Sequence, residues 1–195
     1  MINNPQASLQ FRKIVEKISP VSDEEFNHLL SVLHEETFDK GEVILREGQV
    51  CRRFYFIIKG CIRSFGLEDG KETNLSFFFE DEFACNFASY RDEQSSESFL
   101  VAMEDCEVFY GDKMEANPVF DSSKSFHTFL FRFFQERFFE EEEHSNTFKL
   151  LSPEERYKYL IENGPHYLQR IPLIQLASYL GMSRETLSRI RKKIN

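Results

Sequence analysis

The chain has 195 residues, enough for one large domain or two smaller ones with an ample core. Its net charge of −9 is unevenly spread: residues 149–195 hold nine Lys/Arg and four Asp/Glu and carry +5, while residues 1–148 carry −14. An overall acidity that would argue against nucleic acid therefore excludes nothing, because attraction to phosphate depends on the local field of a basic module.

Residues 5–37 read as helical. Ser22 and Glu25 have the spacing of a capping box, and Phe26, Leu29, Leu30 and Leu33 follow at helical intervals. The pattern changes at Phe38. Short apolar runs then occur at 43–45, 54–58, 62–65, 75–79, 99–101 and 108–110, with glycines 41, 48, 60, 66 and 70 between or beside them. Short strands with regular turns predict a β-barrel or sandwich. A long helix is expected after Pro118, running to about Phe148. Phe126, Phe129, Leu130, Phe133, Phe134 and Phe138 cover more than a narrow stripe of it. One face can pack on the barrel, and the remaining apolar surface calls for a partner; a second copy of the helix would give a twofold dimer. The alternative is a helix buried within one monomer. Glu140 to Glu143 read as solvated surface rather than as a metal site. Ser152-Pro153-Glu154-Glu155 starts a further helix and Asn163-Gly164-Pro165 stops it, which puts a hinge near 147–152.

The segment from Leu176 to Ile190 reads as a helix-turn-helix. Leu176, Ala177 and Leu180 share one face of a first helix, and Gly181 suits the left-handed conformation that ends it. Ser183 can cap a second helix in which Leu187, Ile190 and Ile194 point inward. Arg184, Glu185, Ser188, Arg189 and Lys192 form its outer polar face. Such a unit offers its second helix to the major groove of double-stranded DNA.

Gly41-Glu42-Val43-Ile44-Leu45-Arg46-Glu47-Gly48, followed by Tyr55-Phe56-Ile57-Ile58-Lys59-Gly60-Cys61-Ile62-Arg63, resembles the effector domain of the cyclic-AMP receptor/fumarate-nitrate regulator (Crp/Fnr) family. The resemblance covers nearly the whole chain and implies an α+β fold. Its parts would be a jelly-roll (double-stranded β-helix) domain over 1–117, a dimerisation helix over 118–148 and a helix-turn-helix DNA-binding domain over 149–195. The family's recognition helix often carries Arg-Glu and a second Arg five residues after the first; Arg184, Glu185 and Arg189 match. Arg can donate a bidentate pair to guanine and Glu can accept from cytosine N4. Ser183, Thr186 and Lys192 suit phosphate contacts. The chain ends at Asn195, so the family's wing is expected to be missing or minimal.

The ligand half matches poorly. Cyclic-nucleotide binders of the family use Gly-Glu-Leu and a downstream Arg-Ser/Thr-Ala; Cys85-Asn86-Phe87 and Ser96-Glu97-Ser98 align there. A buried phosphate without its cation is costly, Glu97 would repel it, and Arg91 is a weak substitute. No cyclic AMP is expected in the usual mode, so the effector is unknown and no cofactor is predicted.

Cys51, Cys61, Cys85 and Cys106 lack C-x-x-C spacing and read as reduced, structural thiols, with redox sensing by Cys51 or Cys61 the less common outcome. The segment 38–111 contains no His, which counts against a metal-dependent jelly-roll enzyme. No phosphate loop, nucleophile elbow, secretory leader or membrane-length apolar run appears. The sequence thus predicts a cytoplasmic, non-enzymatic, homodimeric transcription regulator, with RNA polymerase a further candidate partner. Its recognition helices would enter major grooves about one turn, ~34 Å, apart. The alternative is a ligand-sensing or protein-interaction module without DNA binding; a small-molecule enzyme ranks third.

Overall fold

The computed structural model describes every residue except Met1, Asn3 and Asn195. In α1 (Pro5–Ile18) the Asn4 side chain accepts from the backbone N–H groups of Gln6 and Ala7, and Pro5 opens the first turn, where no N–H is needed. Ala7, Phe11, Val15 and Ile18 recur at helical spacing and are buried. α2 (Asp23–Ser31) begins with the expected capping box: the Ser22 hydroxyl accepts from Glu25 N–H, and the Glu25 carboxylate accepts from Ser22 N–H.

Residues 33–37, expected to be helical, lie instead in β1 (Leu33–Phe38), which pairs along its whole length with β8 (Cys106–Asp112). The run Leu-His-Glu-Glu-Thr-Phe has no strong local preference, and a ready ladder partner decides its conformation. The strands form two four-stranded sheets. One has the order β1, β8, β3 (Arg53–Lys59), β6 (Phe83–Ala84). The other runs β2 (Val43–Leu45), β7 (Phe99–Ala102), β4 (Ile62–Glu68), β5 (Lys71–Phe78). This is a jelly-roll-like β-sandwich flanked by helices. Phenylalanine dominates its core: the Phe11 ring lies 4.9 Å from Phe56 and 6.0 Å from Phe109, both fully buried. Each such burial contributes about 1.5–3 kcal/mol.

α3 (Phe87–Asp92) is a short helix the sequence reading did not anticipate, and Asn86 caps it by accepting from Ser89 N–H. The expected long helix is present as one element, but it begins six residues after Pro118 and ends two beyond Phe148. Pro118 lies inside α4 (Lys113–Phe120), and α5 (Lys124–Leu150) starts only after Ser123, whose hydroxyl accepts from Phe126 N–H. α6 (Pro153–Asn163) carries the expected capping box on Ser152 and Glu155. α7 (Pro165–Arg170), α8 (Leu173–Tyr179) and α9 (Arg184–Ile194) follow.

Residues divide into two compact units, 1–66 with 77–135, and 67–76 with 136–195. In the second unit Asn74 is buried against α8. Its backbone N–H donates to Ser178 Oγ at 3.0 Å and its side-chain amide to the Gln175 carbonyl at 3.1 Å. Among the described residues no helix is long and apolar enough to cross a membrane.

Candidate nucleic-acid interface

α8 and α9 are joined by a turn whose bonds explain the residues in it. Gly181 takes φ +65°. Its N–H donates to the Ser178 carbonyl, and Met182 N–H donates to the Ala177 carbonyl, each at 3.0 Å. The pair closes the helix end in the Schellman manner. Ser183 then starts α9: its Oγ accepts from Thr186 N–H at 3.1 Å, and its hydroxyl lies 3.1 Å from Thr186 Oγ1. Leu176, Ala177, Leu180, Leu187 and Ile190 are buried, and Ile194 is partly so, as their spacing predicts.

Arg184, Glu185, Ser188, Arg189 and Lys192 line one open groove of about 450 Å³, joined by Leu173 from α8. Positions i, i+1, i+4, i+5 and i+8 fall on one side of a helix, so the groove follows from the sequence spacing. Ser183 and Thr186 lie outside this lining and are engaged with each other at the helix start. Lys193 is turned to α6, where it pairs with Glu154 at 2.7 Å. The last turn of α9 carries Arg191, Lys192 and Lys193, cations placed where the helix dipole favours them.

Arg156, which the sequence reading passed over, organises the base of this unit. Its guanidinium donates to the carbonyls of Leu151 at 3.1 Å, Leu180 at 3.2 Å and Phe148 at 2.7 Å, and it lies over the Phe148 ring. One side chain thereby satisfies the end of α5 and the turn after α8. Nothing in the local pattern distinguishes it from a surface arginine of an amphipathic helix. Nearby, the His144 ring stacks on Tyr179 at 5.1 Å and meets Phe148 at 4.6 Å. Burial holds its pKa below the usual imidazole value, against a smaller upward pull from Glu141.

The two segments aligned with the nucleotide motifs meet in the first unit. Asn86 Nδ2 donates to Ser96 Oγ at 2.7 Å and Ser98 Oγ at 3.1 Å. The Ser96 hydroxyl donates to the Ser98 carbonyl at 2.7 Å, and Ser64 Oγ lies 3.4 Å from Ser98 Oγ. Ser64, Ser96 and Ser98 are buried, so short neutral side chains bond to one another. Glu97 is exposed, and Arg91 is exposed and paired with Asp92 through two bonds of 2.7 Å. Neither supplies a buried cation. Among the described residues no group of three or more His, Cys, Asp or Glu is placed to hold a metal. None of the four cysteines forms a disulfide, and all are buried.

Residues 35–122 match the cyclic nucleotide-binding domain family. No curated protein matches the chain by sequence. Among solved structures it is similar to the c-di-GMP responsive global regulator CLP of Xanthomonas campestris, with 19% identity, 89% of this chain and 91% of that one covered, and a TM-score of 0.68. It is similar also to FixK2 of Bradyrhizobium japonicum, at 18% identity, 84% of each chain and a TM-score of 0.71. A third is a structure from Eubacterium rectale assigned to the crp/fnr family of transcriptional regulators, at 18% identity, 89% and 83% coverage and a TM-score of 0.68. Residues 35–122 thus match the cyclic nucleotide-binding domain family, and the chain shares the fold of these solved structures.

Proposed function

We propose that the chain is a DNA-binding transcription regulator of the Crp/Fnr type, acting as a homodimer on a twofold symmetric site. The observation that carries this reading is the polar face of α9, where Arg184, Glu185, Ser188, Arg189 and Lys192 line one groove above a buried apolar face. In this reading α9 is the recognition helix. Arg184, Glu185 and Arg189 face base edges, while Ser183, Thr186, Ser188 and Lys192 contact phosphate or the groove wall. The local charge of +5 over 149–195 favours the phosphate backbone despite the acidic remainder. Exposed Phe131, Phe134, Phe138 and Phe139 on α5 support a dimer through that helix. The Asn86–Ser96–Ser98 cluster supports an effector other than cyclic AMP, since a phosphate there would meet neutral, already bonded groups.

The test is selection of bound sequences from a random duplex pool, followed by titration of the selected site. Arg184→Ala or Arg189→Ala is expected to weaken specific binding by about 1–3 kcal/mol each and to relax preference at one base pair per half-site. An unchanged preference after both substitutions would remove the proposed readout. Calorimetry with cyclic AMP is expected to show no stoichiometric binding.

A further inference from the structure

The four cysteines are not equivalent. Cys61 and Cys106 point to backbone carbonyls: Cys106 Sγ lies 3.4 Å from the Cys61 carbonyl and 3.2 Å from that of Glu104. Cys51 and Cys85 face each other, sulfur to sulfur at 3.7 Å, though 34 residues apart in sequence, and Cys51 Sγ also lies 3.3 Å from the Arg53 carbonyl. Cys51 lies two residues before β3, and Cys85 immediately follows β6, the strand that pairs with β3.

The surroundings separate the two thiols chemically. The contact with Cys85, opposed by burial and aided by the backbone of Asn86 and Arg53, draws the Cys51 thiol down to about 7. Burial first, and then the neighbouring sulfur, push the Cys85 thiol well up. Of the two, Cys51 is the more acidic thiol and Cys85 the less acidic. Cys85, though buried, forms part of the wall of an open cavity of about 300 Å³ whose lining includes Phe54, Phe83, Phe129 and Phe133 together with Arg91 and Lys113.

We propose that Cys51 and Cys85 are a peroxide-oxidisable dithiol, a modification site that closes to an intramolecular disulfide. The Cys51 thiolate attacks one oxygen of hydrogen peroxide, the O–O bond breaks, and the leaving hydroxide takes up a proton to depart as water. Cys51 is then a sulfenic acid. The Cys85 sulfur attacks it, forming the S–S bond and expelling the sulfenic oxygen as a second water with the Cys85 proton. Two thiols lose two electrons in total and the peroxide gains them. Closing from 3.7 Å to the ~2.05 Å of a disulfide moves the sulfurs by less than two ångströms along a line they already share. Asn86, adjoining Cys85, caps α3 and bonds Ser96 and Ser98, so the pair lies beside the side chains that tie α3 to the 96–98 segment.

The experiment uses the full chain and needs no DNA, so its outcome is independent of the proposed regulatory function. Reduced protein is exposed to stoichiometric hydrogen peroxide at neutral pH, quenched by alkylation under denaturing conditions, and analysed by intact mass and by peptide mapping without reductant. The expected result is loss of two of the four free thiols, a mass lower by two hydrogen atoms, and a single cross-linked peptide pair joining Cys51 to Cys85, reversed by dithiothreitol. The wild-type map decides the matter without any variant. Cys61→Ala is expected to leave the cross-link intact, while Cys51→Ala and Cys85→Ala each abolish it. Retention of all four thiols, a cross-link between other cysteines, or a Cys51 sulfinic acid in place of the disulfide would each overturn the assignment.

Discussion

Glycine at 181 is required twice over. Its positive φ is a conformation that costs an L side chain about 1–2 kcal/mol, and a Cβ there would lie 3.0 Å from Phe148 and 3.2 Å from the Arg156 guanidinium. Gly41 also has positive φ, but a Cβ there would meet nothing within 4 Å. Gly181→Ala is therefore expected to lower stability by about 2–3 kcal/mol and Gly41→Ala by about 1 kcal/mol, a contrast that paired denaturant melts will resolve. Glu25 offers a second residue-level prediction. Bonds from the Ser22 backbone N–H, and then from the Ser123 and Ser125 hydroxyls, draw its carboxyl down to about 2, against about 4.3 in an unfolded chain. A carboxyl lowered in the folded state contributes stability that is complete above the unfolded value and is lost as pH falls toward the folded one. The stability gap between wild type and Glu25→Gln should thus be constant near neutrality and close between about pH 4.5 and 2; a gap that widens on acidification would contradict the assignment.

At the scale of elements, what could be read from sequence depended on whether the signal was local. The capping boxes at Ser22–Glu25 and Ser152–Glu155, the glycine turn at 181 and the inward face of α9 are written in neighbouring residues and were legible. β1 was not, because Leu33–Phe38 acquires its strand character from β8, some seventy residues away. β6 has two residues, too few for any period to register. Five of the candidate interface residues share a groove because helical spacing alone puts them there, whereas the three carbonyls gathered by Arg156 come from the end of α5 and the turn after α8 and leave no trace in the sequence. His144 is of the same kind: its position on α5 says nothing of Tyr179 stacked against it. Since burial lowers its pKa, the folded unit binds a proton less readily than the unfolded chain. Its contribution is complete above about pH 6.5 and declines as pH falls through and below that value. Melting temperatures between pH 5 and 8 are expected to fall on acidification in the wild type and to vary less in His144→Phe.

For the whole molecule, the uneven charge and the exposed rings of α5 make separable predictions. Phe131 and Phe138 are 69% and 67% exposed and stand seven residues apart, on one side of the helix. If a second α5 covers them, Phe138→Glu should turn a dimer into a monomer by sedimentation while leaving the helical spectrum intact, and should reduce affinity for a symmetric duplex far more than for a single half-site. Affinity for any duplex should also fall steeply with salt, with a slope set by the few cations of residues 149–195 and not by the net charge of −9.

The hydroxyls and amide gathered around Asn86 have a consequence for how this domain could acquire or change an effector. The interior there is already occupied, in effect, by its own side chains: Asn86 spends its amide on Ser96 and Ser98, and Ser96 spends its hydroxyl on the backbone. Importing a lone arginine would place a charge among groups with no anion to offer it. A guest molecule would gain entry sooner through trimming, with Ser96→Gly and Ser98→Ala vacating room and releasing an amide to greet it.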